Sequence, residues 1–202
     1  MNMWFVYSRF KLRKWRKYSS QKRLRVLQAL ENKMAKKNHR EPVLVVVHER
    51  SDWNCFGMFT ATSGQQKIYV HENLIINPGY RFHALETIIH EGRHATQYKI
   101  INNKLKWWQF TAKRWKKNFQ GYISSSEDKI LYNNQEVERD AQKYTIKWLR
   151  KLSGKYINEK DFQITLDRNE YRYEKAETDA KNTYGTFYKI KMRRKINKNS
   201  RR

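Results

Sequence analysis

Residues 82–100, FHALETIIHEGRHATQYKI, constrain the fold more than any other stretch of the chain. Wound at roughly 100° per residue, Phe82, Leu85, Ile88, Ile89, Gly92 and Thr96 fall on one face of a helix. His83, Thr87, His90, His94 and Tyr98 cluster on the opposite face, with Glu91 beside them. The apolar face needs cover, which a sheet is expected to supply, and the other face lines a cleft. Gly92 sits on the packing face. A glycine there costs about 1 kcal/mol relative to alanine, so it asks for a packing reason, namely close approach of helix and sheet.

The flanking segments supply the partners. Residues 20–37 read as a helix with Ser20 as N-cap and a stripe of Leu24, Leu27, Leu30 and Met34. PVLVVVHER at 42–50, CFGMFTA at 55–61 and QKIYVHENL at 66–74 read as strands, the last two joined through TSGQ as a hairpin. After the turn NPGY at 77–80 come the helix at 82–100 and another at 103–118, with Leu105, Trp108, Ala112 and Trp115 on one side. GYISSSED reads as a loop, 135–152 as a helix with a stripe of Val137, Ala141, Tyr144 and Trp148, and 169–185 as a last helix before a mobile tail. This order predicts an α+β fold with a small, mainly antiparallel sheet packed on helices. The expected division is a basic N-terminal arm and helix at 1–40, a core at 41–152, a helical extension at 153–185 and a basic tail at 186–202.

Charge is concentrated at the ends. Residues 1–40 hold 13 Lys/Arg against the single acid Glu31, and residues 186–202 hold eight Lys/Arg and no acid, within a formal net charge of +25. Such ends attract DNA, RNA or an anionic surface; the alternative is that they are solvated, solubilising tails. The one cysteine, Cys55, excludes an internal disulfide framework and suits a reducing, cytoplasmic setting. The longest aliphatic run, VLVVV at 43–47, is too short to span a bilayer, so no transmembrane segment is expected.

His90-Glu91-Gly92-Arg93-His94 has the spacing H-E-x-x-H. Two imidazoles one helical turn apart can reach one ion, and Glu91 points aside as the natural general base. A hydrolytic zinc ion takes three protein ligands and leaves one position open. No histidine follows the motif, so a carboxylate must serve. In YNNQEVERDAQKYTIKWL, residues 132–149, Glu138 flanks the apolar stripe on one side, Glu136 and Asp140 on the other. Ala141, small and on the flank of Glu138, lets this helix come close to the histidine helix. Geometry favours Glu138 modestly and leaves Glu136 as the alternative; all three acids could instead pair with nearby Lys and Arg.

TIIHEGRHATQ followed by QEVERDAQKY resembles the gluzincin type of zinc metallopeptidase, and looks most like small bacterial and phage zincins of the SprT-like or phage-repressor-cleaving kind. The similarity covers residues 40–150 and leaves out the basic ends. It implies a zincin-like fold with His90, His94 and Glu138 as Zn2+ ligands, Glu91 as catalytic base, and hydrolysis of a peptide bond in an intracellular protein or peptide. Tyr98, Tyr132, Arg139 and His83 are the candidates for stabilising a developing oxyanion, although His83 is better read as an ordinary core or cap histidine. The competing expectation is a non-catalytic, basic nucleic-acid-binding protein on a degenerate zincin scaffold. WWQFTAKRWKKN, FKLRKWRKYSS and YKIKMRRKINKNSRR interleave aromatic and basic residues as single-strand binders do.

Overall fold

The computed structural model describes residues 8–48, 55–62, 64–102, 109–154 and 156–200. After a 3-10 turn at Ser8–Phe10, the elements are α1 (Leu12–Lys17), α2 (Ser20–Lys37), β1 (Leu44–His48), β2 (Gly57–Thr62), β3 (Gln65–His71), α3 (Glu72–Ile76) and a 3-10 turn at Pro78–Tyr80. There follow α4 (Arg81–Asn102), α5 (Gln109–Gln120), α6 (Ser125–Asn134), α7 (Glu136–Leu152), α8 (Lys160–Tyr184) and α9 (Tyr188–Asn199). Among the described residues the composition is α+β, mostly helix with one small sheet. No helix among the described residues is long and apolar enough to cross a membrane. The chain forms two compact units, Met1–Thr96 with Tyr144–Leu166 and Gln97–Lys143 with Asp167–Arg202. Helices α4, α7 and α8 each run through both.

The first unit holds the sheet, in the order β1-β3-β2. β2 pairs antiparallel with β3, from Gly57 opposite Val70 to Thr62 opposite Gln65, because the tight turn between them permits no other direction. β1 pairs parallel with the other edge of β3, from Leu44 opposite Lys67 to His48 opposite His71. The sheet is therefore mixed, where the sequence reading expected a mainly antiparallel one. The longer link after β1 leaves its direction free, and it takes the far side of the central strand. β3 also ends earlier than expected. At His71 the ring Nδ1 accepts the Asn73 N–H (3.1 Å) and the chain turns into α3.

Helix α2 buries Val26, Leu27, Leu30, Met34 and Ala35. Its N-cap is Ser19 and not Ser20: Ser19 keeps extended backbone and its hydroxyl accepts the Lys22 N–H (3.2 Å). Phe10 and Trp15, stacked at 5.0 Å, are fully buried. The only acid of the first forty residues, Glu31, lies inside against Arg40, with side-chain exposures of 0% and 2%. Glu31 also accepts the Val43 N–H (2.9 Å), and Arg40 donates to the Gly92 carbonyl (3.0 Å) and to Thr96 (3.1 Å).

That ion pair corrects the reason given for Gly92. A Cβ there would lie 3.0 Å from Glu31 and 3.1 Å from Arg40, so the glycine makes room for the pair, not for the sheet. The close approach of helix and sheet is made by Gly57 of β2, whose Cβ would fall 2.2 Å from Thr87 Cγ2 and 3.2 Å from Glu91 Cγ. Arg81, buried in the first turn of α4 where the helix dipole disfavours a cation, is met by Glu159 (2.8 Å) and Asp161 (3.2 Å).

In the second unit, α6 begins inside the stretch expected to be loop. Ser124 caps it by accepting the Glu127 N–H (3.1 Å). The helix expected over 103–118 is described from Gln109 onward; Leu105 and Trp108 lie outside the described residues, and Trp115 is buried. The tail expected to be mobile is instead helix α9. Tyr188, Met192 and Ile196, four residues apart, form its buried stripe, and Met192 and Ile196 pack with Ile123 and Leu131. Its backbone rests on Gly121, where a Cβ would come within 1.9 Å of the Ile196 carbonyl oxygen.

Candidate metal centre

Side chains of α4 meet α7 at particular points within each unit. In the first unit the Arg93 guanidinium lies over the Tyr144 ring, 4.9 Å from its centroid. In the second, Gln97 donates to the Val137 carbonyl (2.9 Å) and to Asp140 (2.7 Å). Val137 and Ala141 are fully buried.

On α4, His90 and His94 turn the same ring atom to each other, Nε2 to Nε2 at 3.1 Å. Two nitrogens at zinc bonding distance on a tetrahedral ion stand about 3.3 Å apart, so the imidazoles are already spaced as a ligand pair. Among the described residues one group of three could hold a metal ion. It comprises His90, His94 and Glu138, whose ligand atoms lie within 4.8 Å of one another. His94 is 6% exposed and Glu138 4%. Two imidazoles and one carboxylate suit zinc, and three protein ligands leave a tetrahedral ion one position for a reactant. The other acids of α7 are engaged elsewhere: Glu136 lies 3.0 Å from Arg114, and Asp140 accepts from Gln97.

Glu138 is oriented by a residue that the sequence reading missed. The Tyr122 hydroxyl donates to Glu138 Oε1 at 2.5 Å. About a third of Tyr122 is exposed, yet its hydroxyl is turned onto a buried carboxylate. Burial, then the charge of Glu138, then Tyr132 push the phenol far above its ordinary range, so it remains a donor. Tyr132 packs edge-on against it, centroids 6.0 Å apart. Tyr122 lies in the short segment between α5 and α6, where no periodicity marks a residue as inward-facing.

Glu91 is buried, and its Oε2 accepts the Phe59 N–H of β2 (2.8 Å). The sheet edge thus fixes a carboxylate that the sequence reading left merely pointing aside. Cys55 registers the same charge: burial and then Glu91 raise its thiol to about 11, against a lowering contact from the Gly57 backbone. Arg139 stacks on Tyr173 (4.3 Å) and His83 sits among Phe56 and Tyr80, 5.3 Å from each. Tyr132 packs on Tyr122, and Tyr98 is half-buried. Compared with protein-family models, curated proteins and solved structures, the chain matches none.

Proposed function

We propose that this chain is a zinc-dependent metallopeptidase acting on protein or peptide substrates, with His90, His94 and Glu138 holding the ion and Glu91 as general base. The observation that carries the reading is the convergence of two imidazoles and one buried carboxylate; Glu91, next to His90 in the chain, is not part of that group and accepts from the Phe59 N–H. Zinc, when bound, would polarise the scissile carbonyl and acidify water. The rest falls to the chain. Tyr122 holds Glu138 in one orientation by its hydrogen bond, as outer partners of metal ligands do. Glu91, anchored through one oxygen to the Phe59 N–H, keeps its other oxygen to take a proton from water and pass it to the leaving amine. The lone cysteine suits a cytoplasmic site of action.

Metal analysis and zinc titration of the purified chain test this directly. The expected result is one equivalent of zinc, lost in both His90→Ala and Glu138→Ala. Glu91→Gln should retain zinc and lose cleavage of a fluorescently labelled unfolded protein. Unchanged zinc affinity in Glu138→Ala, or undiminished cleavage by Glu91→Gln, overturns the assignment.

A further inference from the structure

The second unit contains a cleft of about 680 Å3, within the range of about 300–1,000 Å3 that holds small ligands. It belongs to a different side of α7 from the metal ligand. Glu136, Arg139 and Asp140 line it, and on a helix these three share one face, with Glu138 turned away from them.

The cleft has two kinds of wall. Trp115, Tyr188, Met192 and Ile196, all buried, form an apolar and largely aromatic floor. Arg114, Lys117, Arg139, Lys189 and Arg193 form a cationic rim. Some rim charge is already answered: Arg114 by Glu136 (3.0 Å) and Lys189 by Glu177 (3.5 Å). Lys117 and Arg193, both exposed, have no acidic partner among the described residues.

An occupant must therefore bring an anion for Lys117 and Arg193 and a flat apolar body for the floor. Inorganic phosphate supplies only the first. An acidic peptide supplies the first without a recurring flat body. A nucleotide supplies both. Together with a net charge of +25, which favours polyanions, we infer that this cleft binds nucleotide units of single-stranded nucleic acid, base towards the aromatic floor and phosphate on the rim. The inference stands independently of the metal centre.

The test is fluorescence anisotropy of the full chain with a short fluorescein-labelled oligothymidylate across a salt series, with added EDTA. Binding is expected to weaken as salt rises. Lys117→Ala/Arg193→Ala should weaken it about tenfold and flatten the salt dependence. Arg13→Ala/Lys14→Ala on α1, which removes the same charge from exposed positions, should change it less than about twofold. Equal losses in the two double variants would mean diffuse attraction by net charge and would overturn the proposal. Thymidine monophosphate should displace the oligomer at higher concentration. Displacement by inorganic phosphate or by polyglutamate as effectively as by the nucleotide overturns the assignment of a base site.

Discussion

Glu31 should be among the most costly single positions in the first unit. Its side chain is 0% exposed and faces a guanidinium that is 2% exposed, so Glu31→Leu leaves a buried cation without its counter-charge. Breaking one side of such a pair costs about 3–5 kcal/mol, out of a total stability of about 5–15. With a urea dependence of about 2 kcal/mol per molar, the unfolding midpoint should fall by about 2 M, read by circular dichroism. Removing both charges tells a different story. Glu31→Leu/Arg40→Met leaves no stranded ion; its main residue is the Val43 N–H deprived of its acceptor, worth about 1–3 kcal/mol. The double variant should thus be no less stable than the single. A cost below about 1 kcal/mol for Glu31→Leu, or a double variant as unstable as the sum of both singles, would refute this account. The position matters for the candidate site because Arg40 also holds the carbonyl of Gly92, between His90 and His94 in the chain.

Gly57→Ala should destabilise by about 1–3 kcal/mol, since the new methyl meets Thr87 Cγ2 at 2.2 Å; adding Thr87→Ala should restore most of the loss in the same urea assay. Cys55, with its thiol raised to about 11, should alkylate slowly at neutral pH in metal-free protein, and Glu91→Gln should speed labelling several-fold by removing the charge that suppresses the thiolate; an unchanged rate by mass spectrometry would place Glu91 elsewhere. At Asp128, burial works to raise the carboxyl, but the Leu131 N–H, the Tyr184 hydroxyl and Lys195 outweigh it and hold it below its ordinary value. A depressed folded value means the contribution is present above the unfolded value near 4 and is lost as pH falls through the folded one. Asp128→Asn should therefore cost about 1–2 kcal/mol at neutral pH, and its gap from the parent in urea melts should close at acid pH.

Helix α4 was legible because its pattern is long and its two faces differ in chemistry; Phe82, Leu85, Ile88 and Ile89 are all buried as that pattern requires. Glu138 was legible only in part: an α7 stripe centred on Val137 and Ala141 puts it on one flank and Glu136 and Asp140 on the other, which favoured Glu138 modestly and left Glu136 open. What escaped depends on contacts distant in sequence. Nothing around Gly92 announces that its neighbours are Glu31 and Arg40, and nothing around Gly57 announces Thr87. The parallel direction of β1 is a choice of edge that local propensity does not encode. Helix α9 is a different failure. Tyr188, Met192 and Ile196 carry a four-residue repeat, but the density of Lys and Arg around it reads as a solvated tail.

The basic N-terminal segment looks, by charge, like something that could be cut away to ask what it binds. Phe10 and Trp15 lie at 0% exposure, and Arg23 bonds the Trp15 carbonyl (3.1 Å) as well as those of Ile75 and Ile76 (2.7 Å each). Deleting the first eighteen residues would uncover an aromatic pair and strip one anchor from a guanidinium that also closes the end of α3. A truncated protein that no longer gripped a polyanion would then be reporting a damaged interior, so the outward lysines and arginines of this segment are better interrogated by neutral substitution, one helix face at a time.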